Sequence, residues 1–288
     1  MSVTQEMANQ VVKANYEDIP PGAADRIRRG ILDDIGIGFL GYYLDDRTAP
    51  FVEYAKEFGG GLPEATIIGD GGRVSCMLAA GVNAQMSSGT DFNETGPGGH
   101  PLSNIAQTGV AVGERVGASG QEVITAVALG YEMNCRFSRS AFPLGLIHGE
   151  LPKRDASYPG HSRHFATTAA ITAAKLLRLN ESQTNQAIGI AWYYGPVPSN
   201  GFMLSRGVFN LGSCDWGIQA ALLAQKGFEG PAGFIEIESR YDLDTLVASP
   251  SPYYHTENEL MLKPWISSRG TQPGVTGFLE IVGEEGLK

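Results

Sequence analysis

Basic charge is scarce in this sequence. Its 288 residues hold 21 Lys and Arg against 31 Asp and Glu, a formal net charge of −10. No basic run is present to neutralise phosphates, which argues against a nucleic-acid partner. Cysteine is equally sparse. Cys76, Cys135 and Cys214 stand alone, without a CxxC pair or an even framework, so they read as buried small hydrophobes in a reducing, cytoplasmic setting. Long apolar runs are missing too. No stretch reaches the roughly 18 apolar residues that span a bilayer, so no membrane partner is expected. The polar start MSVTQEMANQVVKANYEDIPP also lacks the apolar core of a secretion signal. Common catalytic fingerprints are absent as well: there is no GxGxxG after a strand, no phosphate-binding GxxxxGK, no GxSxG and no HExxH.

Glycine, by contrast, is abundant at 38 of 288 residues, nearly twice the usual share. Hydrophobic residues make up 42% and charged residues only 18% of the chain, the reverse of the composition of a disordered protein. The combination points to close helix packing and a subunit interface. Length allows one large domain or two ordinary ones.

Helical periodicity dominates the chain, so the expected fold class is mainly α. Pro20-Pro21 is expected to halt a first helix. A second covers about Ala23 to Tyr43, where Ile27, Ile31, Ile35 and Leu40 give a wide apolar face. Gly36, Gly38 and Gly41 weaken that helix, and close approach by a neighbour would offset the loss. A third helix spans Pro50–Phe58, and Ala65–Ile68 reads as the one short strand. Further helices are expected over Val74–Ser88, from near Ser103, over Val123–Ser138 behind the capping box Ser119-Gly120-Gln121-Glu122, over Phe165–Leu177, after Asn180 and over Leu211–Lys226. Residues 141–160 read as a mixed loop. After about residue 232 the periodicity weakens, and Ser249-Pro250-Ser251-Pro252 reads as a connector. Residues 1–257 therefore form an all-helical domain, and 258–288 look like the start of a second unit.

Candidate chemistry gathers around few residues. His100 lies in a Gly-rich loop with Asp91, Glu94 and Thr95. An acid, a hydroxyl and an imidazole in such a loop suit proton transfer; the same residues also suit a surface turn that caps the next helix. His161 and His164 stand before the small-residue helix, where N–H groups favour a carboxylate, or where they merely cap and pack. A metal site from this pair lacks a third ligand at a telling spacing, so no metal is assigned. Arg206, before the last long helix, could grip a carboxylate bidentately or sit as an ordinary surface arginine.

The segments ILDDIGIGFLGYY, AAGVNAQMSSGTDFNETGPGGHP, HFATTAAITAAKLLRLNESQTNQAIGIA and SRGVFNLGSCDWGIQAALLAQKGFEGP together resemble the MmgE/PrpD family, over about residues 10–288 and in the family's order. The family includes 2-methylcitrate dehydratase, cis-aconitate decarboxylase and an iminodisuccinate epimerase. Its Asn-Gly, Asp-Phe-Asp-Asp-Thr and His-Pro signature is similar to Asn83-Ala84, Asp91-Phe92-Asn93-Glu94-Thr95 and His100-Pro101 here, with Asn93 and Glu94 replacing two aspartates.

The resemblance implies active-site roles for Asp91, Thr95 and His100. It implies a second active-site histidine at His161, with His164 as the alternative. Arg206 falls where cis-aconitate decarboxylases carry a lysine. LKPWISSRGTQPGV resembles the opening of the family's second domain, with Lys263 and Arg269 kept and Ser268 and Gln272 in place of a Cys and a His. Arg206, Lys263, Arg269 and His164 are thus implied contacts for a small polycarboxylate.

The implied fold is a large all-helical domain plus only the beginning of a smaller α/β lid, in a homodimer. The implied reaction is cofactor-free acid/base chemistry of a lyase, foremost dehydration of a hydroxy-polycarboxylate. An epimerase or decarboxylase of a similar acid is the alternative, as is a non-catalytic or split-enzyme subunit whose partner supplies the lid.

Overall fold

The computed structural model of the chain describes residues 2–141, 160–193, 202–231, 233, 235–236, 241–249 and 251–286; at 160–162 and 202–208 it describes the backbone only. The loop expected over 141–160 lies outside the described residues apart from its two ends. The described architecture is mainly α, as the periodicity predicts.

Helix α1 (Val3–Lys13) opens on a capping box, in which Ser2 and Gln5 each accept the other's backbone N–H. It ends well before Pro20-Pro21. That pair instead opens α2 (Pro21–Leu44), where proline's fixed φ suits a first helical turn. After α3 (Ala49–Phe58) the expected strand is half of a hairpin. Its β1 (Ala65–Thr66) pairs antiparallel with β2 (Arg73–Val74). Periodicity assigns Val74 to the next helix, but Ser75 caps α4 (Cys76–Gly89) by accepting the Leu78 N–H, which leaves Val74 to the hairpin.

Then come α5 (Leu102–Val116), closed by left-handed Gly117, and α6 (Gly120–Ala141), opened by the Ser119–Glu122 exchange. Helix α8 (Glu181–Trp192) starts at the Asn180–Gln183 box. Helices α7 (Gly160–Leu176) and α9 (Phe202–Gln225) begin earlier than expected. His161, His164 and Arg206 therefore lie inside helices rather than ahead of them. The apolar pattern marks a helix only where its face meets the core, so the polar first turn of α7 escapes it; the start of α9, Phe202-Met203-Leu204, is apolar and is not explained this way.

Packing centres on α7, which contacts α5, α6, α8 and α9, and on α4, which contacts α2, α5 and α9. Small residues set these distances. A Cβ on Gly217 of α9 would lie 2.5 Å from the Ala166 carbonyl oxygen of α7, and one on Gly41 of α2 would lie 2.2 Å from the Met86 carbonyl oxygen of α4. Gly41 thus serves the expected close approach. Gly36 does not, since nothing lies within 4 Å of its Cβ position.

The stretch after about residue 232, where the periodicity weakens, is helical in part. It holds α10 (Leu243–Val247), α11 (Tyr254–Glu259) and α12 (Gln272–Glu284). The expected connector Ser249–Pro252 falls between the first two of these helices. Buried Glu132 of α6 accepts both the N–H and the hydroxyl of Thr256 at 3.0 Å, and Arg26 donates to the Leu260 carbonyl at 2.9 Å. These bonds pin α11 and the strand-like residues after it to the body. Residue 257 lies inside α11. Helix α12 buries none of its residues and is held locally, by the Trp265 indole donating to Thr276 and by Gln272 bonding back to Trp265 and Ser267. Among the described residues no helix is long and apolar enough to cross a membrane.

Candidate active site

The loop between α4 and α5 has a fixed shape with local causes. Asp91 turns the chain out of α4 in the left-handed region, at φ 54°, which aspartate tolerates better than most residues. Asn93 is fully buried and donates to the Ser103 hydroxyl at 2.9 Å. Thr95 and Met261 exchange backbone hydrogen bonds of 2.9 and 3.0 Å, a single antiparallel bridge. Gly96-Pro97-Gly98-Gly99 is then a tight turn closed by the Gly99 N–H on the Gly96 carbonyl at 3.1 Å. Proline at its second position and Gly98 at φ 82° match a type II turn. The turn rests on α6: Asn134 donates to the Pro97 carbonyl, and a Cβ on Gly96 would meet the Tyr131 hydroxyl at 2.0 Å.

This shape presents His100. Its Nδ1 lies 2.5 Å from the Glu94 carbonyl oxygen. A carbonyl can only accept, so Nδ1 carries the proton, and the neutral ring has Nε2 as its basic atom. The Glu94 carboxylate turns inward and accepts the Leu102 N–H, at the start of α5, at 2.9 Å. Burial pushes this carboxyl well above the ordinary range; the Leu102 N–H and Lys263 pull it down, and Asp34 pushes it up. Nearby Asp34 is buried and accepts from the Gln107 amide at 2.6 Å. Burial raises it to about 6 against the lowering hydrogen bonds of Gln107, Ser103 and Ser87.

Lys263 joins the loop from far along the chain. Its buried ammonium donates to the Asp91 carbonyl at 2.7 Å and to the Asp91 carboxylate at 3.2 Å. The backbone carbonyl turned by Asp91's positive φ therefore has a charged partner.

The candidate residues fall into groups. Asp91, Thr95, His100 and Lys263 share one loop-and-bridge unit, and the buried Thr95 hydroxyl makes no hydrogen bond among the described residues. His164 is buried in an aromatic nest: its Nε2 lies 2.8 Å from the Tyr241 hydroxyl, and its ring stacks on Phe137 at 5.4 Å. Arg269 begins an exposed 3-10 turn and makes no ion pair among the described residues. The side chains of His161 and Arg206 lie outside the described residues.

Sequence reasoning sees Glu94 only as one more acid in the loop and does not find Tyr131, Asn134 or Asp34. The pair Pro97-Gly98, a type II turn signal, is the clue that would have folded the loop back onto α6.

Other chemistry is disfavoured. Burial raises the Cys76 thiol to about 11 and the Cys214 thiol to about 12, far from the range of a reactive thiolate. A cavity of about 640 Å³ opens between α2 and α3. Four carboxylates line it, Asp45, Asp46, Glu53 and Asp70, against one ammonium, Lys56, a balance that repels an anionic acid. Among the described residues no group of three or more His, Cys, Asp or Glu could hold a metal ion.

The sequence profile of the MmgE/PrpD N-terminal domain matches residues 5–243. The chain is 25% identical over 252 residues to human (Homo sapiens) cis-aconitate decarboxylase, covering 83% of this chain and 50% of that protein. It is 24% identical over 251 residues to the mouse (Mus musculus) cis-aconitate decarboxylase, covering 83% and 49%. The chain thus spans about half the length of these curated relatives.

Proposed function

The chain belongs to the MmgE/PrpD family, and from that premise we propose that it serves a lyase acting on a small di- or tricarboxylic acid by acid/base chemistry. The observation that carries this reading is His100 fixed by the Glu94 carbonyl in the loop whose Asp91 pairs with the buried Lys263 ammonium. That arrangement leaves Nε2 as the basic atom of the neutral ring.

Our finer reading is dehydration of a hydroxy-polycarboxylate. His100 takes a proton from the carbon next to a carboxylate. The electron pair moves into that carboxylate as an enediolate, and cations stabilise the new charge. Lys263, oriented by Asp91, is the described candidate; Arg206 and Arg269 are the further ones. The pair then returns to form a C=C bond as the neighbouring C–O bond breaks, and the departing hydroxyl takes a proton and leaves as water. His161 is the candidate for that second transfer, and Thr95 a hydrogen-bond donor.

A second reading is decarboxylation, favoured by both relatives being cis-aconitate decarboxylases. No proton is then removed first: the C–C bond to one carboxylate breaks, CO2 leaves, and the bonding pair stays on carbon as a carbanion held by the same cations. An imidazolium, of His100 or His161, returns a proton to that carbon. We also read residues 258–288 as the opening of a second unit, supported by α12 burying none of its residues and being held by its own preceding turn.

The test is incubation with citrate-like, aconitate-like and iminosuccinate-like acids, followed by NMR in D2O. Loss of water supports the dehydratase, and loss of CO2 the decarboxylase. Deuterium uptake without either marks an isomerase. His100→Ala is expected to abolish turnover while the fold persists. Turnover retained in that variant, or no acid consumed by the wild type, overturns the reading.

A further inference from the structure

We infer that Glu94 is a positioning residue: its inward side chain anchors the loop to the start of α5 and so holds the His100 ring on the Glu94 carbonyl, with the proton on Nδ1. The inference rests on the reading of His100 as the proton carrier and adds a residue that acts through it.

Both ends of one residue are in use. The main-chain carbonyl of Glu94 receives His100 Nδ1 at 2.5 Å, and its carboxylate receives the Leu102 N–H at 2.9 Å. Between the two contacts the chain makes the Gly96–Gly99 turn, so Glu94 and His100 are the feet of a short arc. The Thr95–Met261 bridge and the Asn134 bond hold the arc from outside. The Glu94 side chain ties its foot of the arc to the first residue of α5, beside the Asn93 bond to Ser103. Without that tie the Glu94 peptide can rotate, and its carbonyl leaves the imidazole. The ring then chooses its tautomer freely, and a share of molecules carries the proton on Nε2, the atom the chemistry needs bare.

The carboxyl itself is suited to a neutral role. It is 1% exposed, and burial favours its protonated form. A carboxamide of the same length therefore reproduces its bond to Leu102, whereas Asp is one methylene too short to reach.

The experiment is long-range 1H–15N NMR of the imidazoles at a pH well above their ordinary range, which reports the nitrogen that carries the proton without any turnover. Wild type and Glu94→Gln are expected to show His100 as the Nδ1–H tautomer. Glu94→Ala is expected to show a tautomer mixture; should it fail to fold, Glu94→Asp carries the same expectation. In turnover assays Glu94→Ala lowers kcat by roughly ten- to a hundredfold with KM little changed, as misplacement of a catalytic group does. Glu94→Gln keeps kcat within about threefold, a change of under about 0.7 kcal/mol. An Nε2–H tautomer in the wild type, or an unaltered Nδ1–H tautomer in folded Glu94→Ala and Glu94→Asp, overturns the inference. Because the tautomer is read without substrate, failure of the proposed reaction leaves this test standing on its own.

Discussion

The helical body and the segment from Pro264 to Glu284 stand in opposite relations to water. In the body, Tyr131, Phe137, Met86 and Ile171 are wholly buried, and glycines bring helix backbones into contact. In the later segment Ile266, Phe278 and Ile281 are 61%, 65% and 57% exposed. Its helix is a product of local bonds, Trp265 to Thr276 and Gln272 to the preceding turn. The difference shows where the site belongs. Lys263 is the last residue before the change, and it reaches Asp91 because Leu260 is buried and Met261 is bridged to Thr95. The Lys263–Asp91 contact is therefore built on the body, and α12 follows it in the chain.

Three substitutions probe that contrast, in falling order of effect. In the body, Gly217→Val should cost about 3 kcal/mol or more, because the added atoms meet the rigid backbone of α7 at Ala166 rather than a movable side chain. Denaturant unfolding measures this; a loss under about 1 kcal/mol would mean that the helices are not locked by close approach.

Next comes a pH effect. Asp34 has its folded-state pKa raised from 3.8 to about 6 by burial. Its contribution to stability is therefore fully present below the unfolded value and is lost as pH rises through about 6, a loss approaching ~3 kcal/mol near neutrality. Asp34→Asn should flatten the stability profile between about pH 4 and pH 7. A slope unchanged in that variant would assign the titration elsewhere.

Smallest is Phe278→Ser on α12, expected to change body stability by no more than about 0.5 kcal/mol. A larger loss would show that α12 is part of the core after all.

Much of the body was legible in the sequence because its causes are local. Apolar spacing revealed α2 and α5, and the boxes at Ser119–Glu122 and Asn180–Gln183 marked helix starts that the structure keeps. The polar first turn of α7, Gly160 to His164, was not legible, which is why that helix starts earlier than the pattern suggests; the early start of α9, at Phe202-Met203-Leu204, has no such cause. The hairpin was missed because two-residue strands carry no period. In the site, Asp91, Thr95, His100 and Lys263 were named through a likeness to relatives, and the structure joins them. The roles of Glu94 and Tyr131 could not be read, since both depend on how a glycine turn folds back onto a helix far along the chain. His164 looked like half of a histidine pair; its aromatic neighbours Phe137, Trp192 and Tyr241 come from three separate stretches.

The Lys263–Asp91 pair also has a consequence in time. Its partners are separated by 172 positions, so during synthesis the loop with His100 leaves the ribosome long before its ammonium exists. Chain-closure entropy rises only slowly with such a span, yet contacts of this separation form late. Until residues 261–263 emerge, the Lys263–Asp91 contact and the Thr95–Met261 bridge cannot form. The nascent body can thus pack its helices before the loop that carries His100 gains its Lys263 contact.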